Sequence, residues 1–191
     1  MTDLINFNSK YYCDNKKFII NNLKKYYKGS VLFCPVIQIT IFSLVLRIVR
    51  LLSYLIPTGS IPTFFFNENN YNYISWKDPK YQKYIFEDSY PHNKNGLSYG
   101  GNIQFITLNS ILHLSEINQS ILSKTIFPWI IFHDREDKSV SFNGSIQFFN
   151  LSQSKKKSII EMQGSLHDII SNQVEKSAKK SLEWVQSQLI Q

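Results

Sequence analysis

The sequence predicts an α/β fold, a parallel sheet with flanking helices. Two short apolar runs carry that expectation, Val31-Leu32-Phe33-Cys34 and Pro128-Trp129-Ile130-Ile131-Phe132. The third observation is the order strand, helix, strand, helix across residues 128–189, which needs crossover connections and therefore parallel strands. With 43% apolar and 15% aromatic residues in a chain of 191, there is material for a buried core.

In chain order, Leu4-Ile5-Asn6-Phe7 reads as a short strand. Residues 14–27 place Phe18, Ile19, Leu23, Tyr26 and Tyr27 at helical spacing, with Gly29 as the stop. The strand at Val31 ends at Pro35, which has no N–H for a ladder. Residues 42–55 form a helix that is apolar nearly all round, with Arg47 and Arg50 three apart on one side. A loop follows over 57–73, with two prolines, a glycine, an Asn cluster and the run Phe64-Phe65-Phe66. Residues 76–90 are polar and aromatic without a clear period, and 93–101 form a turn. Helical period returns over 103–114, where His113 is expected to be buried beside the apolar face.

Beyond the second apolar strand lie a charged turn, His133-Asp134-Arg135-Glu136-Asp137, and a helix over 141–151. A basic turn at Lys155-Lys156-Lys157, the strand Ser158-Ile159-Ile160-Glu161-Met162 and the loop Gly164-Ser165-Leu166-His167-Asp168 come next. The last helix, 174–189, has Val174, Ala178, Leu182, Val185 and Leu189 on one face.

Composition excludes several classes. Two cysteines, Cys13 and Cys34, cannot make a disulfide framework or an all-cysteine zinc site. The net charge of +7 comes with no recognised nucleic-acid module, and the aromatics fall mainly on apolar faces, so no nucleic-acid partner is expected. The longest apolar stretch, 31–56, holds Arg47 and Arg50. Each arginine costs about 2.5–3.5 kcal/mol at a bilayer centre, which argues against a span. No signal-peptide pattern opens the sequence, so the expected location is cytoplasmic, with peripheral membrane contact through 42–55 and 64–66.

In parallel sheets, functional groups collect in loops at the carboxyl ends of strands. Two such loops carry Asp137 and His167, 30 residues apart, which is one βαβ unit. Their strands are expected to be neighbours, so the side chains can meet. An aspartate beside an imidazole fixes its tautomer and stabilises the imidazolium. Taken with Asp137 and His167, His133 and Asp134 lack the convergent spacing of a metal site, and no metal is expected. Nor do His92 and His113 stand in a catalytic pattern.

PWIIFHDREDKSV, MQGSLHDI and the closing EWVQSQL together resemble the C-terminal part of the α/β-hydrolase superfamily. The branch is that of the monoacylglycerol lipases and lysophospholipases, also called serine aminopeptidase S33-like. In that family a strand ends in His-Gly-x-x-Asp, and here His133 to Asp137 match it with Asp134 in place of the glycine. The family's next strand ends in Gly-x-x-His, matched by Gly164 to His167. The run KGSVLFCP resembles the strand after the nucleophile helix, with Cys34 where that family has serine, and residues 47–57 resemble the start of a cap.

The resemblance implies a partial α/β-hydrolase fold with a helical and irregular cap insertion. Its divisions are hydrolase core over 1–37, cap over 38–117, and core with the Asp and His loops over 118–191. It implies His167 as general base and acid, Asp137 as its orienting partner, and an acyl ester or lipid as substrate, with no cofactor. The nucleophile is expected at Ser9, between a strand and a helix, although Phe7 and Tyr11 replace the glycines of Gly-x-Ser-x-Gly. The alternative is Ser98, in the literal match Gly96-Leu97-Ser98-Tyr99-Gly100, which no apolar strand precedes. An oxyanion His-Gly loop is not found. A second reading follows, that of a truncated, inactive relic acting as a membrane-surface or protein-binding module. Neither reading fixes an oligomeric state.

Overall fold

The computed structural model describes residues 27–39, 43–60, 75–90, 94–95, 98–99 and 103–189. The expected strand at 4–7, residues 14–26 of the expected helix 14–27, Ser9 and Phe64 to Phe66 lie outside these residues.

Three strands form one parallel sheet in the order β1 (Ser30–Phe33), β4 (Trp129–His133), β5 (Lys157–Glu161). Val31 pairs with Ile130, and Ile130 with Ser158. β4 is buried at all five positions because helices cover both faces, which is why it reads as a continuous apolar run. Its period-2 alternation divides the core. Ile130 and Phe132 pack with Cys34, Met162 and Ile169, against Trp184 of the last helix. Trp129 and Ile131 pack with Ile37, Leu122 and Phe148 on the other face.

Phe148 belongs to α4 (Phe142–Leu151), the crossover between β4 and β5, and stacks on Trp129 with ring centroids 4.4 Å apart. α4 comes close because Gly144 has no side chain: a Cβ there would lie 2.9 Å from the Gln38 nitrogen. After β5 come the short α5 (Ile169–Asn172) and the closing α6 (Val174–Leu189).

The insertion between β1 and β4 contains α1 (Ser43–Leu55), α2 (Pro79–Glu87) and α3 (Phe105–Ile121). It also has a two-stranded parallel pair, β2 (Ser89–Tyr90) and β3 (Ser98–Tyr99). α1 and α3 pack on each other, and Arg50 pairs with Glu116 across them. Among the described residues no helix is long and apolar enough to cross a membrane.

Three expectations need correction. His113 is not buried: its side chain is 70% exposed, beside Glu116. α3 turns Phe105, Leu112 and Ser115 inward instead. The charged turn begins later than expected: His133 closes β4, and both His133 and Asp134 are fully buried. The apolar stripe of α6 faces outward, with Leu182 58% and Leu189 64% exposed, while Ser177 and Trp184 face the sheet. Residues 76–90, unassigned from sequence, contain α2 and β2.

Candidate active site

The carboxyl ends of β1, β4 and β5 lie side by side, and the loops that leave them hold the polar residues. His133, the last residue of β4, falls on the α4 side by strand alternation. Its Nδ1 lies 2.7 Å from Ser145 Oγ, and its Nε2 lies 3.2 Å from Asp137 Oδ2 and 3.3 Å from the Val140 carbonyl. Asp137 Oδ1 accepts from the backbone N–H groups of Ser139 (2.8 Å) and Val140 (3.0 Å). Its other oxygen, Oδ2, lies 2.8 Å from Nδ1 of His167.

The sequence-predicted pair is therefore brought together from adjacent strands. The Asp137 side chain is inaccessible to solvent and that of His167 is 34% exposed. Burial alone would push the Asp137 carboxyl up. Hydrogen bonds from His133, His167 and the Val140 amide outweigh burial and hold it well below the usual carboxylate range. An ionised Asp137 accepting at His167 Nδ1 leaves Nε2 as the free lone pair. Among the described residues no partner takes it.

Asp134, where the resembled motif has glycine, ties the two loops together. Its Oδ2 accepts from the backbone N–H groups of Ser165 (2.5 Å) and Leu166 (2.8 Å), just before His167. Its Oδ1 accepts from Glu136 N at 3.0 Å. Two of the residues in this loop are left-handed, Gly164 at φ +77° and Leu166 at φ +53°. For Leu166 that conformation costs about 1–3 kcal/mol, which the Asp134 hydrogen bonds offset.

A second brace comes from residues 75–77. Trp76 Nε1 donates to Asp168 Oδ2 at 2.6 Å, and Asp168 Oδ1 caps α5 at Ser171 N. Asn172 Nδ2 donates to the carbonyls of Ser75 and Ser165. The insertion is thus bonded directly to the His167 loop.

Cys34 follows β1 in a left-handed conformation, φ +41°, with its N–H donating to the Phe132 carbonyl. Burial first, and the Asp137 carboxylate second, push its thiol up, so it stays protonated and is not an activated nucleophile. Of the two candidate serines, Ser9 is outside the described residues. Ser98 lies on β3, in a sheet separate from the one that carries Asp137 and His167.

Sequence reasoning found Asp137 and His167 but missed the roles of His133, Asp134 and Trp76. The i,i+4 spacing of His133 and Asp137 was a readable signal. The reach of Asp134 and Trp76 across 31 and 92 residues was not.

A parallel sheet with helices on both faces and an Asp–His pair at its carboxyl ends defines an α/β-hydrolase fold, of which this chain holds part. The family profile "Serine aminopeptidase, S33" matches residues 17–174, and the chain belongs to that family. No curated protein matches the sequence. Among solved structures, it is similar to a monoacylglycerol lipase of Paleococcus ferrophilus, with 19% identity and a TM-score of 0.67. The match covers 84% of this chain and 59% of that one. A soluble variant of monoglyceride lipase from Saccharomyces cerevisiae, in complex with a substrate analog, is similar at 17% identity and TM-score 0.61. There the coverage is 84% of this chain and 53% of that one, so the chain spans less than two thirds of either structure.

Proposed function

We propose that this chain is a serine ester hydrolase of the monoacylglycerol lipase or lysophospholipase type, with His167 as general base and Asp137 as its orienting partner. The observation that carries the reading is the 2.8 Å contact between Asp137 Oδ2 and His167 Nδ1, made by a buried carboxylate whose other oxygen is held by two backbone amides. This arrangement fixes one tautomer and stabilises the imidazolium that forms when Nε2 takes a proton.

In the proposed reaction a serine hydroxyl gives its proton to His167 Nε2 as Oγ bonds to the acyl carbon of a fatty-acyl ester. His167 returns that proton to the departing alcohol oxygen as the ester C–O bond breaks. Water, deprotonated by the same nitrogen, then releases the acid and restores the serine. Ser9 is the proposed nucleophile and Ser98 the alternative. Residues 38–117 are the proposed cap over the core segments 1–37 and 118–191. The exposed apolar residues Leu44, Ile48, Leu51 and Leu55 on α1 give that cap a surface for lipid.

A specific observation favours a second reading, that of an inactive binding module: Phe7 and Tyr11 stand where a serine elbow needs glycine. Labelling with a fluorophosphonate probe, followed by peptide mapping, separates the readings. Modification at Ser9 that is lost in His167→Ala supports hydrolysis, and modification at Ser98 transfers the nucleophile there. No serine labelled in folded protein, together with no turnover of glycerol esters, rejects the hydrolase reading.

A further inference from the structure

Three chemically different side chains converge beside the proposed base. Cys34 from the β1 end, Asp137 from the β4 loop and His167 from the β5 loop place one ligand atom each within 4.8 Å of one another. Cys34 and Asp137 are buried, and His167 opens toward solvent. A tetrahedral zinc site has bonds of about 2.0–2.3 Å and so holds its ligand atoms about 3.3–3.8 Å apart. Asp137 Oδ2 and His167 Nδ1 are hydrogen-bonded at 2.8 Å, so an ion has to part these two atoms and draw Cys34 in, with movements on the order of 1 Å.

We propose that Cys34, Asp137 and His167 form a binding site for a thiophilic divalent cation of the Zn²⁺ class, and that its occupation silences the Asp–His pair. Charge favours it. A thiolate and a carboxylate bring two negative charges to a dication, so the filled site is neutral in a place where net charge is costly. Ligand type selects the ion, since thiolate and imidazole suit Zn²⁺ and disfavour Mg²⁺ and Ca²⁺. The solvent-facing side leaves a fourth position for water.

The Cys34 thiol loses its proton to solvent as sulfur bonds the metal. Neutral His167 changes tautomer, its proton moving from Nδ1 to Nε2 as Nδ1 bonds the metal. One proton is released per ion. His167 Nε2 then carries hydrogen instead of a lone pair and cannot act as a base.

Co²⁺ titration of the folded chain tests this without relying on ester turnover, because a cobalt–thiolate bond gives near-ultraviolet charge-transfer absorption. The variant Cys13→Ser, in which Cys34 is the sole thiol, should develop the band at one equivalent, and Zn²⁺ should displace it. Adding Cys34→Ser should abolish the band, and adding His167→Ala should weaken or shift it, with circular dichroism unchanged. A band that survives Cys34→Ser, one indifferent to His167→Ala, or none in folded protein at millimolar Co²⁺ overturns the site. Failure of the hydrolase reading removes turnover but leaves this absorption intact.

Discussion

The two ends of this molecule handle polar groups in opposite ways. Around β4 and β5 the polar side chains are inside: His133, Asp134, Asp137 and Ser145 are all buried and bonded to backbone or to one another. Across α1 and α3 many apolar side chains are outside, although Val49 and Leu112 are buried. Leu44, Ile48, Leu51 and Leu55 are exposed, and the ion pair Arg50–Glu116 lies on the surface. A buried polar network is rigid because removing one member leaves its neighbours' buried polar groups short of a partner that water cannot replace. A surface lined with apolar residues gains from a change of surroundings, not from any single bond. Substitutions should therefore be severe in the first region and mild in the second.

The largest effect is expected at Asp137. Asp137→Ala leaves His167 and the amides of Ser139 and Val140 without their acceptor, and His133 Nε2 with only the Val140 carbonyl. Hydrogen bonds to a charged acceptor contribute about 1.5–3 kcal/mol each, so losing these together is expected to cost about 3–5 kcal/mol. Urea unfolding should show the midpoint falling accordingly. The same carboxylate sets a pH dependence. Its native proton affinity lies below that of the unfolded chain, so its stabilisation is fully present above the ordinary carboxyl value of about 3.9. That contribution is lost as pH falls toward the depressed native value. Acid unfolding of the parent should be steep below that point, and Asp137→Ala should flatten it.

Asp134 comes next. Asp134→Ala frees the Ser165 and Leu166 amides at the left-handed turn before His167. Hydrogen bonds to a charged acceptor contribute about 1.5–3 kcal/mol each, and two that share one oxygen contribute less than twice that. Asp134→Asn keeps one acceptor and should recover part of the loss. Hydrogen exchange at Leu166 and His167 should accelerate more than exchange in β4, because the damage lies in the loop.

What was legible from sequence divides along the same line. β4 could be read because burial on both faces demands an unbroken apolar run, and the 30-residue step to His167 follows from one crossover. The orientation of α6 could not. Its apolar stripe satisfies helical period, yet Ser177 and Trp184 face the sheet and Leu182 faces out. Period tells which residues share a face, not which face is covered. His113 failed for the same reason. Asp134 looked like a departure from a motif, and only the folded loops show what the extra carboxylate holds.

Trp76→Phe tests the join between the two regions. It removes one indole N–H bond to Asp168, for which a loss of about 0.5–1.5 kcal/mol is expected. Because Asp168 also caps α5, exchange should quicken at Ser171 as well as at Ile169. No change at either amide would show that the insertion and the His167 loop are held together by Ser75 and Asn172 alone.

The smallest effect is expected where the polar contact is exposed, at Arg50 and Glu116. Both side chains are about half exposed, at 48% and 55%. Such a pair contributes about 0–1 kcal/mol, because water screens the charges and two long side chains must be ordered to meet. Arg50→Ala should shift the urea midpoint little, and the shift should shrink further in high salt. A loss as large as that of Asp134→Ala would mean that α1 and α3 rest on this contact, and that the contrast between a bonded core and a loosely held insertion is wrong. A loss near zero would instead leave the packing of Val49 and Leu112, buried on these two helices, as what holds the pair together.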